Sequence, residues 1–547
     1  MPAPEFDWIE YDLTSATAGL RMPPIAGAVA APTLSIQLPD LGAWPSPIEK
    51  ARILLETAAE VEHALMVQYL YAAYSLKSAG EVTDAAQKKV LKDTSAESWP
   101  QVLRSVAREE MGHLMTVQNL LLLLGLDPNF EREDFPPRKQ LYPFPLHLEA
   151  LSRKSLAKYV VAEAPSDAAD IGDIVEVATE SAGETINRVG ILYGLLGLVF
   201  SRVDDVAAGV SGHAEWDEII RTLSIAAYQQ TPPDTWHLGD DAFQQGTETR
   251  QADPDDWNAG QLRVHQTGDR TAAIQAIRDI GEQGEGPGRG DESSHFERFR
   301  KMFRGHEGEP GFPPPGSWQP TRAVPTDPKV TDVADPRTRG WMELADIRYA
   351  LLLGFLEHYL VAADDDRPML TAWIYAEMRS RIAYIARELT TMPLDDGAGR
   401  AVAGIAFTLP PELHLPQDDA QRWRLHHART AAAIAVTEHL RDPADRRDGF
   451  LADVLTSDRA RLALIAARAF TTGFARDIRP LFRQKDLDHM NFRLDLRNLE
   501  DVRENARLIV DRVSDHGGPV MPPMPDQRWT PGQVQLLERW IAEGCPP

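Results

Sequence analysis

The chain has 547 residues, 43% of them hydrophobic, and a formal net charge of −25. That length predicts two or three domains around a substantial core, and the acidic balance excludes nucleic acid and anionic membrane surfaces, which demand basic patches. The single cysteine, Cys545, excludes intrachain disulfides and thiolate-ligated clusters and fits a reducing cytoplasm. The opening residues MPAPEFDWIEYDLT show no secretory pattern, and apolar runs such as 191–200 are too short to span a bilayer. A cytoplasmic location without membrane contact is therefore expected.

Residues 1–46 are rich in Pro, Ala and Gly and are expected to form an extended arm, with a strand at 34–38. The next two elements carry the strongest signal. LLETAAEVEHALMVQYLYAAYSL (54–76) repeats apolar residues at helical spacing through Leu55, Ala58, Ala59, Leu65, Met66, Tyr69 and Ala73, and Glu62 falls inside that stripe. VLRSVAREEMGHLMTVQNLLLLLG (102–125) does the same through Leu103, Val106, Ala107, Leu114, Val117 and Leu121, with Glu110 and His113 inside the stripe. A carboxylate facing a core is costly unless a cation meets it. Glu-x-x-His at i, i+3 puts both groups on one helix face, as in the carboxylate-bridged metal sites of four-helix bundles. The same residues also fit charged positions at the edge of an apolar stripe, because one such motif alone is weak.

Further along, the proline-rich stretch 127–148 is expected to be a long loop, with helices at 149–165 and 171–206 and an irregular segment at 230–262. A helix over 270–285 carries Ile274, Ile277 and Gly281 on its inner face, which Glu285 continues, while Glu282 follows Gln275 and Arg278 on the polar face. Glu285 is therefore the better ligand candidate. His295 opens the next helix, where ligation and a surface position are equally open from the residues alone. Within 184–200 the only acid is Glu184, near the start and better placed for solvent, so a mononuclear site fits these residues. After the loop at 306–338, helices are expected at 341–363, 367–391 and 418–440, and RDPADRRDG (441–449) marks a domain boundary. The fold class is thus mainly α: an arm (1–46), a helical metal-binding domain (47–445) and a small all-α domain (446–547).

LETAAEVEHALMVQYLYAAYSL, REEMGHLMTVQNLLLLLGLDPNF, EQGEGPGRGDESSHFERF and, more loosely, GIAFTLPPELHLP together resemble the ferritin-like domain of the iminophenyl-pyruvate dimer synthase family. The resemblance runs over most of 47–440. It implies a ferritin-like four-helix bundle and metal ligation by Glu62, Glu110, His113, Glu285 and His295. Where the family has an acid in Gly-Glu-Leu-Tyr, this chain has Gly190-Ile191-Leu192-Tyr193. That removes a bridging ligand, so at most one tightly held ion, or a second weak one, is expected. The C-terminal part is similar to small cytochrome-c-like modules, but Lys485-Asp486-Leu487-Asp488-His489-Met490 stands where c-type haem attachment needs Cys-x-x-Cys-His. A haem-less packing domain is expected, the alternative being a non-covalent haem on His489 and Met521.

Imidazole and carboxylate ligands suit non-haem iron, one or two ions, with manganese as the alternative. The resemblance implies an oxidase or oxygenase that uses dioxygen or peroxide on a small amino-acid-derived or aromatic metabolite of secondary metabolism. Tyr69, Tyr193 and Met66 are candidates to line its pocket and equally ordinary core residues. The competing expectation is a non-catalytic metal-binding scaffold or partner protein. A homo-oligomer is compatible with either.

Overall fold

The computed structural model describes residues 8–12, 35–135, 144, 146–165, 168, 170–182, 188–208, 213–257, 262–285, 294–306, 308–395, 401–411, 413–470, 472–490, 493–514 and 528–547. They form two compact units, Met1–Leu413 and His414–Pro547.

The first unit begins with an antiparallel pair, β1 (Trp8–Asp12) and β2 (Ser35–Pro39), in which Trp8 faces Pro39 and Asp12 faces Ser35. The helix α1 (Pro47–Ser75) follows. Ser46 caps it: its hydroxyl accepts from the Glu49 amide while Glu49 Oε2 takes the Ser46 amide at 3.1 Å, and Pro47 occupies the first turn, where no amide proton is needed. Helix α2 (Trp99–Leu123) also has a serine before it and a proline, Pro100, in its first turn, but the Ser98 hydroxyl donates to Ser95 O at 2.8 Å and does not cap the helix. It ends where Gly125 turns left-handed (φ 71°) and the Leu126 amide reaches back to Leu121 O at 2.9 Å. Both helices are buried around almost their whole circumference, so α1 and α2 are packed upon from more than one side.

Four shorter helices build the site around this pair. Helix α3 (Arg153–Ala162) ends at Glu163, two residues before Pro165. The apolar α4 (Val189–Phe200) packs on α1, and α6 (Arg270–Glu285) packs on α4. Between them in sequence, α5 (Ala214–Gln230) lies against Gly194 and Gly197 of α4; a β-carbon at Gly194 would stand 2.3 Å from Leu223 Cδ1. Helix α7 (His295–Arg304) begins at Ser294, whose hydroxyl accepts from the Glu297 amide at 3.3 Å. The long α8 (Pro336–Val361) and α9 (Arg367–Tyr375) complete the unit, and α9 runs through a π-helical stretch, Ala376–Ile382, into α10 (Ala383–Leu389).

Where the sequence suggested one helical pattern over 171–206, the structure breaks it into Gly172–Ala182, α4 and Val203–Ala208. On α6 the buried stripe is Ala273, Ala276, Ile277, Ile280 and Gly281, and Ile274 is only half-buried.

In the second unit, α11 (Asp419–Leu440) and α12 (Asp448–Phe470) pack on each other as a hairpin. The Arg441 guanidinium bonds both Asp448 oxygens (2.5 and 2.8 Å) across the turn, and the boundary drawn near 445 falls in this turn. A separate small core gathers Phe474, Ile478, Phe482, Val502, Leu537 and Trp540, with Trp540 Nε1 donating to Pro546 O at 2.7 Å. His489 is exposed and bonds Lys485 O through Nδ1 at 2.7 Å, while Met521 lies outside the described residues. Among the described residues no helix is long and apolar enough to cross a membrane.

Candidate metal centre

Glu62 from α1, Glu110 and His113 from α2, Glu163 past the end of α3 and His295 at the start of α7 converge in the middle of the first unit. Each is at most 4% exposed. Their ligand atoms form two triads that share Glu110: Glu62, Glu110 and His113, then Glu110, Glu163 and His295.

The two halves mirror each other. His113 Nδ1 stands 2.8 Å from Glu110 Oε2 and 3.3 Å from Glu62 Oε2; His295 Nδ1 stands 3.1 Å from Glu110 Oε1 and 3.6 Å from Glu163 Oε2. The outer oxygen of each terminal carboxylate is tied to a tyrosine: Tyr193 donates its hydroxyl to Glu62 Oε1, and Tyr69 donates to Glu163 Oε1 at 2.7 Å. Burial, and then the carboxylate each one faces, holds both phenols well above their ordinary pKa, so they remain donors.

A separate network fixes the two imidazoles from behind. Glu109 accepts from His295 Nε2 at 3.0 Å, from Gln283 Nε2 at 2.8 Å and from Arg298 at 2.9 Å. The Gln283 amide oxygen in turn lies 3.2 Å from His113 Nε2. With both Nε2 atoms donating outward, both Nδ1 atoms face Glu110. This is the backing that ligand histidines receive in metal sites, where an outer acceptor fixes the tautomer.

Electrostatics then favours a cation. Glu62, Glu109, Glu110 and Glu163 are four buried carboxylates, and the Arg298 guanidinium meets Glu109 among them. Burial and the Glu110 charge push Glu62 up to about 7. Burial lowers His113, but its bonds to Glu110 and Glu62 outweigh that and raise it to about 10, and His295 is raised in the same way by Glu110 and Glu109. Glu110 is held below the usual carboxylate range because His295 and His113 outweigh its burial, and Glu109 likewise because of His295 and Arg298. In the metal-free cluster these shifts favour protonated histidines.

Protons do not satisfy it fully. Glu62 Oε2, Glu110 Oε1 and His295 Nδ1 are buried with only the close ion pairs described above and no well-directed hydrogen bond, and a buried polar atom left poorly paired costs about 1–3 kcal/mol. A divalent cation in each triad would meet all three. Gly284 leaves the space: a β-carbon there would stand 2.9 Å from Glu163 Oε2. The donor set and its geometry fit metal ions.

Of the residues expected from sequence, the structure brings together Glu62, Glu110, His113 and His295. Glu285 is the last residue of α6 and its side chain lies outside the described residues; Gln283 reaches the site from the same helix end. Glu184 also lies outside the described residues. Glu282 keeps to the polar face, 3.8 Å from Arg278 and 3.6 Å from His213. Val189, Gly190 and Tyr193 of α4 line the site, whereas Ile191 points off it by helical spacing and is half-buried. Tyr69 and Tyr193 bond the carboxylates, but Met66 faces a different cavity. Sequence reasoning missed Glu163, in VAEAPSD just beyond a helix end, and Glu109 as the group behind the histidines.

Residues 55–304 match the family model described as ferritin-like, so the chain contains a ferritin-like domain in this span. Among solved structures, a ferritin-like protein from Caulobacter vibrioides is similar at 16% identity, over 61% of this chain and 94% of that one, with a TM-score of 0.32. No curated protein matches the chain.

Proposed function

We propose that this chain, which contains a ferritin-like domain, holds two non-haem iron ions, with manganese as the alternative, and serves as an oxidoreductase using dioxygen or peroxide. The observation that carries this reading is the pair of buried triads sharing Glu110, each with a terminal carboxylate and an inward Nδ1. The sequence suggested at most one tightly held ion because Ile191 stands at the expected acid. Glu163 supplies a second terminal carboxylate from another helix and favours two.

Glu62 and His113 would hold one ion, Glu163 and His295 the other, and Glu110 would bridge. Bound there, the ions supply one-electron redox chemistry toward a small oxidant. The protein's own part is to keep the site dry, with Leu65 and Ile280 as apolar wall, and to hold hydroxyl protons on Tyr193 and Tyr69 beside the carboxylates. The organic substrate proposed is a small amino-acid-derived or aromatic metabolite, on the resemblance to the dimer synthase family.

One observation favours the second reading, a metal-binding scaffold without turnover. The described residues around the cluster enclose a free space of only about 10 Å³, room for a water and not for an aromatic molecule. Loading the protein anaerobically with ferrous iron and then recording oxygen uptake separates the two. Stoichiometric uptake that disappears in Glu110→Ala supports the oxidoreductase. Retained iron with no uptake of dioxygen and no reaction with peroxide supports the scaffold.

A further inference from the structure

Opposite the metal centre, the α1–α2 pair walls a second cavity of about 750 Å³. Met66, Leu70 and Tyr74 of α1 and Ala107 and Met111 of α2 line it, three or four residues apart, while Glu62 and Leu65 and then Glu110 and His113 turn the other way. No residue lines both spaces. The far wall is Tyr349 and Leu352 of α8 together with the π-helical stretch, which contributes Met378, Arg379 and Ile382. Such widened turns recur at functional sites. Phe407 closes one end in a left-handed backbone conformation (φ 49°), with its carbonyl held by Arg132 and its ring 5.3 Å from that of Tyr349. A non-glycine residue is kept in that region only where its surroundings over-determine it.

The charge on this cavity runs against the rest of the chain. In a protein of net charge −25, Arg104, Arg108, Arg379 and Arg387 line it with a single acid, Asp93, among the lining residues. Asp93 is shared, accepting from Arg104 and standing 3.9 Å from Arg387. Burial and then the neighbouring Arg387 lower the Arg104 guanidinium to about 10, and burial and then Arg379 lower Arg108. Arg104 with Arg387 and Arg108 with Arg379 are thus neighbouring cations on the cavity wall. Guanidinium pairs of this kind match the flat, two-oxygen geometry of a carboxylate. Three methionines with Tyr74, Tyr349 and Phe407 form an interior suited to an aromatic body.

We propose that this cavity is a binding site for an aromatic carboxylate, its ring seated among Met66, Met111 and Met378 and its anionic head at Arg108, Arg379 and Arg387. The site stands apart from the metal cluster and does not depend on the oxidoreductase reading.

The test is calorimetric titration of the metal-loaded full chain with 2-naphthoate, 2-naphthylmethanol and 2-naphthylmethylammonium. The expected result is saturable 1:1 binding of naphthoate, at least tenfold tighter than the alcohol, and none of the ammonium ion. Reversing two exposed charges in Arg379→Glu/Arg387→Glu should weaken naphthoate at least tenfold without changing metal content or melting temperature. Naphthoate binding should persist in His113→Ala. Equal binding of all three probes, no saturation by naphthoate, indifference to the double charge reversal, or loss of binding in His113→Ala would each overturn the proposal. Should the double variant fold poorly, Arg387→Glu alone, at a residue more than half exposed, replaces it with the same expected direction.

Discussion

His63 and His113 sit on neighbouring helices, both buried, and burial acts on both in the same direction, yet they end in opposite states. His63 meets the Tyr349 hydroxyl, and burial followed by the Arg132 charge pushes it well below its ordinary pKa, so it stays neutral. Arg132 also reaches the Tyr349 hydroxyl at 3.4 Å. At His113 the same burial is outweighed by Glu110 and Glu62. A buried histidine becomes a candidate ligand when carboxylates with unfilled oxygens surround it, and a structural one when a hydroxyl and a cation do. Glu62 and His63 are adjacent in sequence, and one step around the helix separates the two environments.

The largest effect expected from this contrast is on metal content. His113→Ala should strip bound metal almost completely, because it removes a nitrogen ligand and leaves Glu110 facing an empty space. His63→Ala should leave the metal-to-protein ratio unchanged while lowering stability by on the order of 3 kcal/mol through a cavity and the loss of the hydrogen bond to the Tyr349 hydroxyl. Elemental analysis beside denaturant unfolding reads both. Full occupancy in His113→Ala would remove the distinction drawn here.

Next comes the count of ions. Glu163→Gln should lower the ratio from about two per chain to about one, since an amide is a poor ligand for a hard cation. Ile191→Glu, which restores the acid of the resembled family's motif, should not raise it, because that side chain is not among those lining the site.

A smaller effect belongs to the groups behind the ligands. Glu109→Gln should weaken metal binding about 10–100-fold without abolishing it, as both imidazoles lose their common anchor. Competition with a chelator measures this, and an unchanged affinity would make Glu109 a plain ion pair with Arg298.

The pH dependence has a sign that follows from the same groups. In the metal-free protein His113 is raised from 6.5 to about 10 and Glu62 from 4.5 to about 7. Their contributions are complete below 6.5 and 4.5, and are lost as pH rises through 10 and 7. His63, lowered below 6.5, acts in the opposite sense: its contribution is present above 6.5 and fades on acidification. Bound metal displaces the site protons, so the gap in melting temperature between loaded and metal-free protein should widen from pH 6 to pH 9. A constant gap would show that the histidines carry no extra proton.

How much of this could be read in advance depended on where each residue sits. Glu62, Glu110 and His113 interrupt apolar stripes on long helices, so periodicity exposed them; His295 needed the family resemblance. Glu163 follows the end of α3 in a short Ala-Pro-Ser-Asp stretch, where an acid looks like an ordinary loop residue until tertiary packing turns it inward. The choice of Glu285 came from projecting a helix face to its last residue, whose side chain lies outside the described residues, while Gln283, two residues earlier, is the side chain of that helix end seen at the site. The all-α class and the helices at 270–285 and 418–440 were legible from spacing. The arginine-lined cavity was not, because it joins segments far apart in sequence, from Met66 to Phe407, around a π-helical stretch that no periodicity announces.

Whether two ions share Glu110 is read from anomalous scattering at the iron edge on crystals of iron-loaded protein. Two peaks are expected roughly 3.5–4 Å apart, the spacing of two-metal sites, one beside Glu62 and His113 and one beside Glu163 and His295. A single peak, or iron bound away from Glu110, would contradict the bridged pair.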